Sequence, residues 1–222
     1  KVMITGAGGS IGKELCRQVS RWDPKVLYLM GHGENSIFES ILELKASFPQ
    51  IPLVPVIADM RDRHRLENVF QEHKPDIVFH AAAHKHVPLM EVNVEDAVTN
   101  NIYGTRNIVE VSLKNDVDHL IMISSDKAIR PINVMGATKR MAEMVVIDAA
   151  HRSGKKYSVV RFGNVLGSRG SVVPLFKRQI ARGGPVTTSP STPPTPPRWT
   201  PRRRPRSRRG RAPASSWRST RS

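Results

Sequence analysis

The stretch that most restricts how this chain folds is TGAGGSIG. It follows directly on the short apolar run Lys1 to Thr5 and leads into a helical pattern through Leu15 and Val19. Gly6, Gly9 and Gly12 recur at GxxGxxG spacing. A strand-to-helix turn without side chains lets backbone N–H groups close on a pyrophosphate, and the helix dipole favours that charge. Thr5, Gly6, Gly9, Ser10, Ile11 and Gly12 are therefore the first candidate dinucleotide contacts.

The remainder alternates as such a turn requires. Lys25 to Met30, Ile51 to Ile57, Asp76 to Phe79, His119 to Ile123 and Lys156 to Arg161 read as further strands. Helical patterns lie between them: IFESILELKASF opened by Glu34, Asn35 and Ser36, then Arg63 to Glu72, then Glu95 to Lys114 interrupted by NNIYGTRN. Val173 to Ala181 begins another helix. The pattern predicts an α/β fold, a doubly wound parallel sheet of Rossmann type. At 222 residues the chain can hold one such domain and a tail.

Open α/β sheets place ligands at the carboxyl ends of their strands, and those ends carry the other candidates. The second strand runs into GHGENS, where Gly31 stands in the place of the acid that would grip a ribose 2′-hydroxyl. That removes a repulsion and tilts the expectation toward NADP over NAD. Asp59, with Met60 beside it, follows the third strand; it either accepts a hydrogen bond from adenine or caps the next helix. The fourth strand opens into HAAAHKHVPLME. Ala81, Ala82 and Ala83 suit backbone lying close against a cofactor, with Lys85 on the substrate side. His80, His84 and His86 lack the cysteine or carboxylate pair that would complete a metal site, so no metal is expected. Asn101, polar on an otherwise packing face, is a candidate cofactor contact or a core side chain bonded to backbone.

The fifth strand delivers SSDKAIRPINVMGATK. Asp126 beside Lys127, with Ser124 and Ser125, can give and take protons on one small substrate; a solvated polar turn is the plainer alternative. Within GATKRMAEMVVIDAA the spacing of Met141, Met144, Val145 and Ala149 predicts an amphipathic helix that swings Lys139 back toward the strand end. After the sixth strand, the glycines of RFGNVLGSRGSVVPLF with Asn164, Arg169 and Ser171 suit a loop wrapping a phosphorylated ligand.

The net charge of +16 suggests nucleic acid until it is located. Residues 187–222 hold ten arginines and eight prolines with no lysine or acid, which leaves +6 for residues 1–186. The body is only mildly basic, and no specific nucleic-acid partner is expected. The tail lacks apolar periodicity and is expected to be disordered. Its composition is what a GC-rich coding region yields when read out of frame, so a frameshift near Thr187 is the expectation; a basic nucleic-acid or acidic-membrane tail is the alternative. Cys16 has no partner for a disulfide and reads as core. No apolar run is long enough to span a bilayer.

In order, TGAGGSIG, HAAAHKHVP, NIYGT, SSDKA, NVMGATK and RFGNVLGSRGSV resemble the extended short-chain dehydrogenase/reductases. More closely they resemble the CapD-type polysaccharide-biosynthesis proteins, the UDP-N-acetylglucosamine 4,6-dehydratase family, over residues 1–186. The resemblance implies a three-part reaction on a UDP-sugar: hydride leaves C4, water is eliminated across C5 and C6, and hydride returns to C6. It implies Asp126 as acid and Lys127 as base, and for that role burial beside the cofactor ring and Lys139 must make Lys127 ready to give up its proton. Lys139 would hold the nicotinamide ribose and Ser124 or Ser125 a sugar hydroxyl. The usual YxxxK has Met135 in place of tyrosine, so another group, Lys139 through a water or Lys85, must take the C4 hydroxyl proton. An epimerase on the same scaffold and an inactive dinucleotide-binding module with a basic tail are the alternatives. The resemblance also implies a homo-oligomer and a cytoplasmic location, with membrane attachment only through segments outside this sequence.

Overall fold

The computed structural model describes residues 1–165 and 172–185, all within the unit Lys1–Thr187. Arg169, Ser171 and the tail from Thr187 lie outside the described residues.

Alternation decides the layering. In β1 (Val2–Thr5) and β2 (Leu27–Gly31), Val2, Ile4, Leu27 and Leu29 point to one face and Met3, Tyr28 and Met30 to the other. Both faces are apolar, so both must be covered. Helices α1 (Ser10–Ser20) and α2 (Glu34–Ser47) cover the first through Cys16, Val19, Ile37 and Leu44. Burial pushes the Cys16 thiol up to about 12, as suits a core position rather than a nucleophile. The second face is covered by α3 (Arg63–His73), α6 (Gly104–Lys114) and α7 (Val134–Ser153), through Leu66, Phe70, Ile108 and Val146. Asp62 caps α3, its carboxylate accepting the Arg65 N–H at 3.0 Å.

With β3 (Leu53–Ile57), β4 (Ile77–His80), β5 (His119–Ser125) and β6 (Lys156–Phe162), the described residues form a six-stranded sheet. Every pairing is parallel and the order is β3-β2-β1-β4-β5-β6. The chain leaves β3 at one edge and returns beside β1 as β4, so the order reverses between β1 and β4. A crevice opens at that point beyond the carboxyl ends of the strands.

Two departures from the sequence expectation matter for the site. The segment after β4 forms a short helix that the pattern did not reveal, α4 (Val87–Val92), followed by α5 (Val94–Val98). The interruption at NNIYGTRN is a π-helical turn over Thr99–Tyr103, joining α5 to α6. The helix α8 (Val172–Ala181) closes the described chain.

Candidate active site

The crevice is built from backbone. Gly6 holds φ +70, and a Cβ there would lie 2.8 Å from the Ala82 nitrogen and 2.9 Å from the Ala81 carbonyl. The turns after β1 and β4 thus meet main chain to main chain, and only glycine and small residues permit it. Gly12 seals the turn from behind, since a Cβ on it would overlap the Gly6 carbonyl oxygen. Helix α1 begins with Gly9 as N-cap, without a side-chain cap and without an acid in its first turn. That start suits an anion.

A cleft of about 300 Å³ lies above this turn. It is lined by Thr5, Gly6, Gly9, Asp59, Met60 and Ala81 to Ala83, eight of the residues expected to touch a dinucleotide. Ser10, Ile11 and Gly12 form the helix start and do not line it; neither do Asn101 and Lys139. Gly31, His32, Gly33 and Ser36 line its far end, where an acid would have met a ribose. Asp59 does not cap α3, which Asp62 does. Instead its carboxylate is gripped by Arg61, at 3.0 Å from Nε and 2.6 Å from Nη2, which holds it below its ordinary pKa. An adenine amino group would share that carboxylate with Arg61. The glycine cradle and uncapped helix start fit a nicotinamide dinucleotide.

The histidines after β4 have other work. His80 is buried between Thr5 (Nδ1 to Oγ1, 2.7 Å) and Thr105 (Nε2 to Oγ1, 3.0 Å). Burial, helped by the nearby Lys139 charge, pushes it down to about 3, so it is neutral. His84 Nε2 lies 2.8 Å from Asp96. Among the described residues no group of three metal-binding side chains converges. Asn101, on the π turn, is almost fully buried. Its amide oxygen accepts the His84 N–H at 2.8 Å, and its nitrogen donates to the His84 carbonyl and to Thr138 Oγ1. It therefore ties the loop after β4 to α7, while its neighbour Asn100 lines the cleft.

A second cluster stands at the ends of β5 and β6. Ser125 is the last residue of β5 and Asp126 to Ala128 form a single 3₁₀ turn. Ser125 Oγ donates to Asp126 Oδ1 at 2.9 Å; Lys127 Nζ reaches the same oxygen at 3.0 Å and Asn164 Oδ1 at 3.2 Å. The bond from Lys127, then that from Ser125, holds the Asp126 carboxyl below its ordinary value. Four of the expected residues thus meet. Lys85 is exposed on the loop after β4.

Ser124 is a correction. Its side chain points inward, 3% exposed, and donates to Glu143 Oε1 at 2.6 Å, so of the two serines only Ser125 is placed to face a ligand. The stripe expected on α7 is also corrected. Met141 and Met144 are more than half exposed, and the buried face carries Met135, Lys139, Ala142, Glu143, Val146 and Ala149. Lys139 does swing back to β5, its Nζ donating to the Ile123 carbonyl at 2.6 Å. Burial pushes its ammonium down to about 8, against the opposing pull of Glu143. Met135 is buried with Met90 and Ala97, and its thioether cannot take a proton.

Glu143 escaped the sequence reading. It is fully buried and accepts from Ser124, from Arg161 Nε at 2.8 Å and from Arg140 Nη1 at 3.1 Å. Burial alone would raise its pKa, but these bonds outweigh it and hold the carboxyl below its ordinary value. A carboxylate in a helix face that also carries a buried lysine was the signal available.

Known proteins are similar to this chain. At 55% identity over 190 residues, the chain is similar to the capsular polysaccharide biosynthesis protein CapD of Staphylococcus aureus, covering 85% of this chain and 32% of the relative. It is 36% identical to a UDP-N-acetylglucosamine 4,6-dehydratase (inverting) of Campylobacter jejuni, over 86% of this chain and 58% of that protein. It is 34% identical to a UDP-glucose 4-epimerase of Rickettsia canadensis, over 86% and 56%. Among solved structures, Pen from Bacillus thuringiensis superposes with a TM-score of 0.78 at 35% identity, over 85% of this chain and 60% of that one. The chain therefore spans between 32% and 58% of the length of these curated relatives. A family model described as "Polysaccharide biosynthesis protein" matches residues 2–192. With this sheet order, this glycine turn and that match over most of its length, the chain belongs to the CapD-type polysaccharide biosynthesis family of the extended short-chain dehydrogenase/reductases.

Proposed function

We propose that the chain carries the dinucleotide half and the acid–base pair of a nucleotide-sugar 4,6-dehydratase, making a 4-keto-6-deoxy sugar from a UDP-N-acetylhexosamine for polysaccharide synthesis. The observation that carries this reading is the convergence of Ser125, Asp126, Lys127 and Asn164 at the ends of β5 and β6. A bound nicotinamide dinucleotide would supply the hydride acceptor for C4 and the donor for C6. NADP is favoured over NAD because Gly31 leaves no carboxylate at the end of β2 to repel a 2′-phosphate.

Elimination needs a neutral base for the C5 proton and a protonated acid for the departing 6-hydroxyl. Asp126 is held ionised by its bonds to Lys127 and Ser125. One proton passing from Lys127 to Asp126 along their 3.0 Å contact produces both required forms without exchange with solvent. Covering this half-exposed pair with substrate favours that transfer, because desolvation penalises both charges. Lys127 then takes the C5 proton, and Asp126 returns its own to the leaving hydroxyl. Ser125 is placed for a sugar hydroxyl. Lys139 through a water, its ammonium pushed down to about 8 by burial, or Lys85 would take the C4 hydroxyl proton in place of the tyrosine that Met135 replaces.

The experiment is mass spectrometry of UDP-N-acetylglucosamine incubated with the chain and NADP, beside a Lys127→Ala control. Loss of one water that depends on Lys127 supports the dehydratase. A changed sugar of unchanged mass supports the second reading, a C4 or C5 epimerase, which the 34% identity to an epimerase favours. An unchanged substrate with NADP bound overturns both.

A further inference from the structure

Two residues that hold one carboxylate are themselves partners in the sheet. Ser124 of β5 and Arg161 of β6 stand opposite each other in register. Both bond to Glu143, which is fully buried. One residue farther, Ser125 is paired with Phe162, and there the two strands end. Beyond that point the chains diverge into Asp126–Lys127 on one side and Gly163–Asn164 on the other, rejoined by Lys127 Nζ reaching Asn164 Oδ1 at 3.2 Å. One turn earlier on α7, Lys139 holds the carbonyl of Ile123. Successive inward residues of α7 thus grip successive residues of β5, immediately before the chain turns out into the site.

We propose that Glu143 is a positioning residue: by fastening Ser124 and Arg161 to α7 it sets the span between the ends of β5 and β6, across which Lys127 meets Asn164. The proposal rests on the reading of Lys127 and Asp126 as the reacting groups. Glu143 accepts three side chains because a buried carboxylate with fewer donors would carry an uncompensated charge. That requirement makes it a strict geometric constraint. Arg140, more exposed, completes its shell from α7 itself.

The test compares the unsubstituted full chain with Ser124→Ala and Glu143→Gln. Competitive acetylation by trace acetic anhydride over a range of pH, with mass spectrometry of the Lys127 peptide, reports how that amine is held. Circular dichroism and NADP affinity are taken on the same samples. Ser124→Ala keeps the Glu143–Arg161 pair and is the variant that folds if Glu143→Gln does not. The expected result is Lys127 labelling about fivefold faster in Ser124→Ala, the change that one hydrogen bond's net worth allows. Glu143→Gln should exceed that, with NADP affinity and the spectrum retained. Unchanged Lys127 labelling in a folded variant overturns the proposal, and so does a fall in NADP affinity in step with the labelling, which marks a merely structural role. Failure of the unsubstituted chain to bind NADP or to release water counts against the proposed function instead. The labelling contrast, scored against the spectrum, still decides the role of Glu143.

Discussion

At the ends of β1 and β4 the ligand-facing surface is main chain, with Gly6 pressed against Ala81 and Ala82 and an α1 start that no side chain caps. At the ends of β5 and β6 it is side chain, with Ser125, Asp126, Lys127 and Asn164 bonded to one another over a carboxylate buried beneath them. The first region has no room for a Cβ at Gly6 or Gly12. The second depends on where each proton sits. A single sheet thus carries a main-chain turn and, beside it, the Asp126–Lys127 pair proposed above as acid and base, each failing for a different reason.

The largest effect should come from the second region alone. Lys127→Ala is expected to slow loss of water from the UDP-sugar by roughly 10²- to 10⁴-fold, the usual worth of a positioned acid–base group. NADP affinity, measured by fluorescence titration, should hold, because Lys127 does not line the cleft. A parallel loss of affinity would break the division between the regions.

Gly12→Ala should do the reverse. Its methyl must displace the Gly6 carbonyl, at a cost of about 1–3 kcal/mol in urea denaturation and with NADP binding lost. Lys127 acetylation should stay unchanged.

Acid should reach the first region through His80. Its folded pKa of about 3 lies below the unfolded value of 6.5, so between these values the unfolded chain binds a proton that the folded chain refuses. Stability therefore falls as pH drops below 6.5, by about 1.4 kcal/mol per unit from this group, and does not change on its account above that pH. Denaturation at several pH values, repeated with His80→Gln, should show the shallower slope in the variant. Equal slopes would mean that the histidine titrates alike in both states.

The smallest effect belongs to neither region. Asp62→Ala removes the α3 cap and should cost about 1 kcal/mol in thermal or urea unfolding, while NADP binding and Lys127 labelling stay as they were. A change in either would show that the cleft depends on how firmly α3 is seated.

The glycine turn, the strands and the parallel order could be read in advance because each is a local matter. Glycine spacing, apolar runs and the punctuation between them are written in adjacent residues, and Gly6 touches Ala82 only because both follow strands that neighbour in the sheet. The Ser125–Asp126–Lys127 cluster was legible for the same reason, lying where a strand ends. On α7 the local signal misled. Met141 and Met144 are the bulky apolar residues a periodic reading selects, yet they are exposed, and the buried face includes a lysine and a glutamate. The π turn likewise hid the role of Asn101, since one extra residue per turn separates it from its neighbour Asn100 at the cleft.

The sequence by itself determined the fold class, the glycine turn and the position of the Asp126–Lys127 pair, because hydrophobic periodicity, glycine and strand ends act over a few residues. Only the tertiary structure decided that Ser124 turns inward, that Asn101 binds a loop seventeen residues away, and that Glu143 belongs inside. A buried charge is stable only where its partners arrive, and two of the three that hold Glu143 come from β5 and β6, nineteen and eighteen residues distant along the chain.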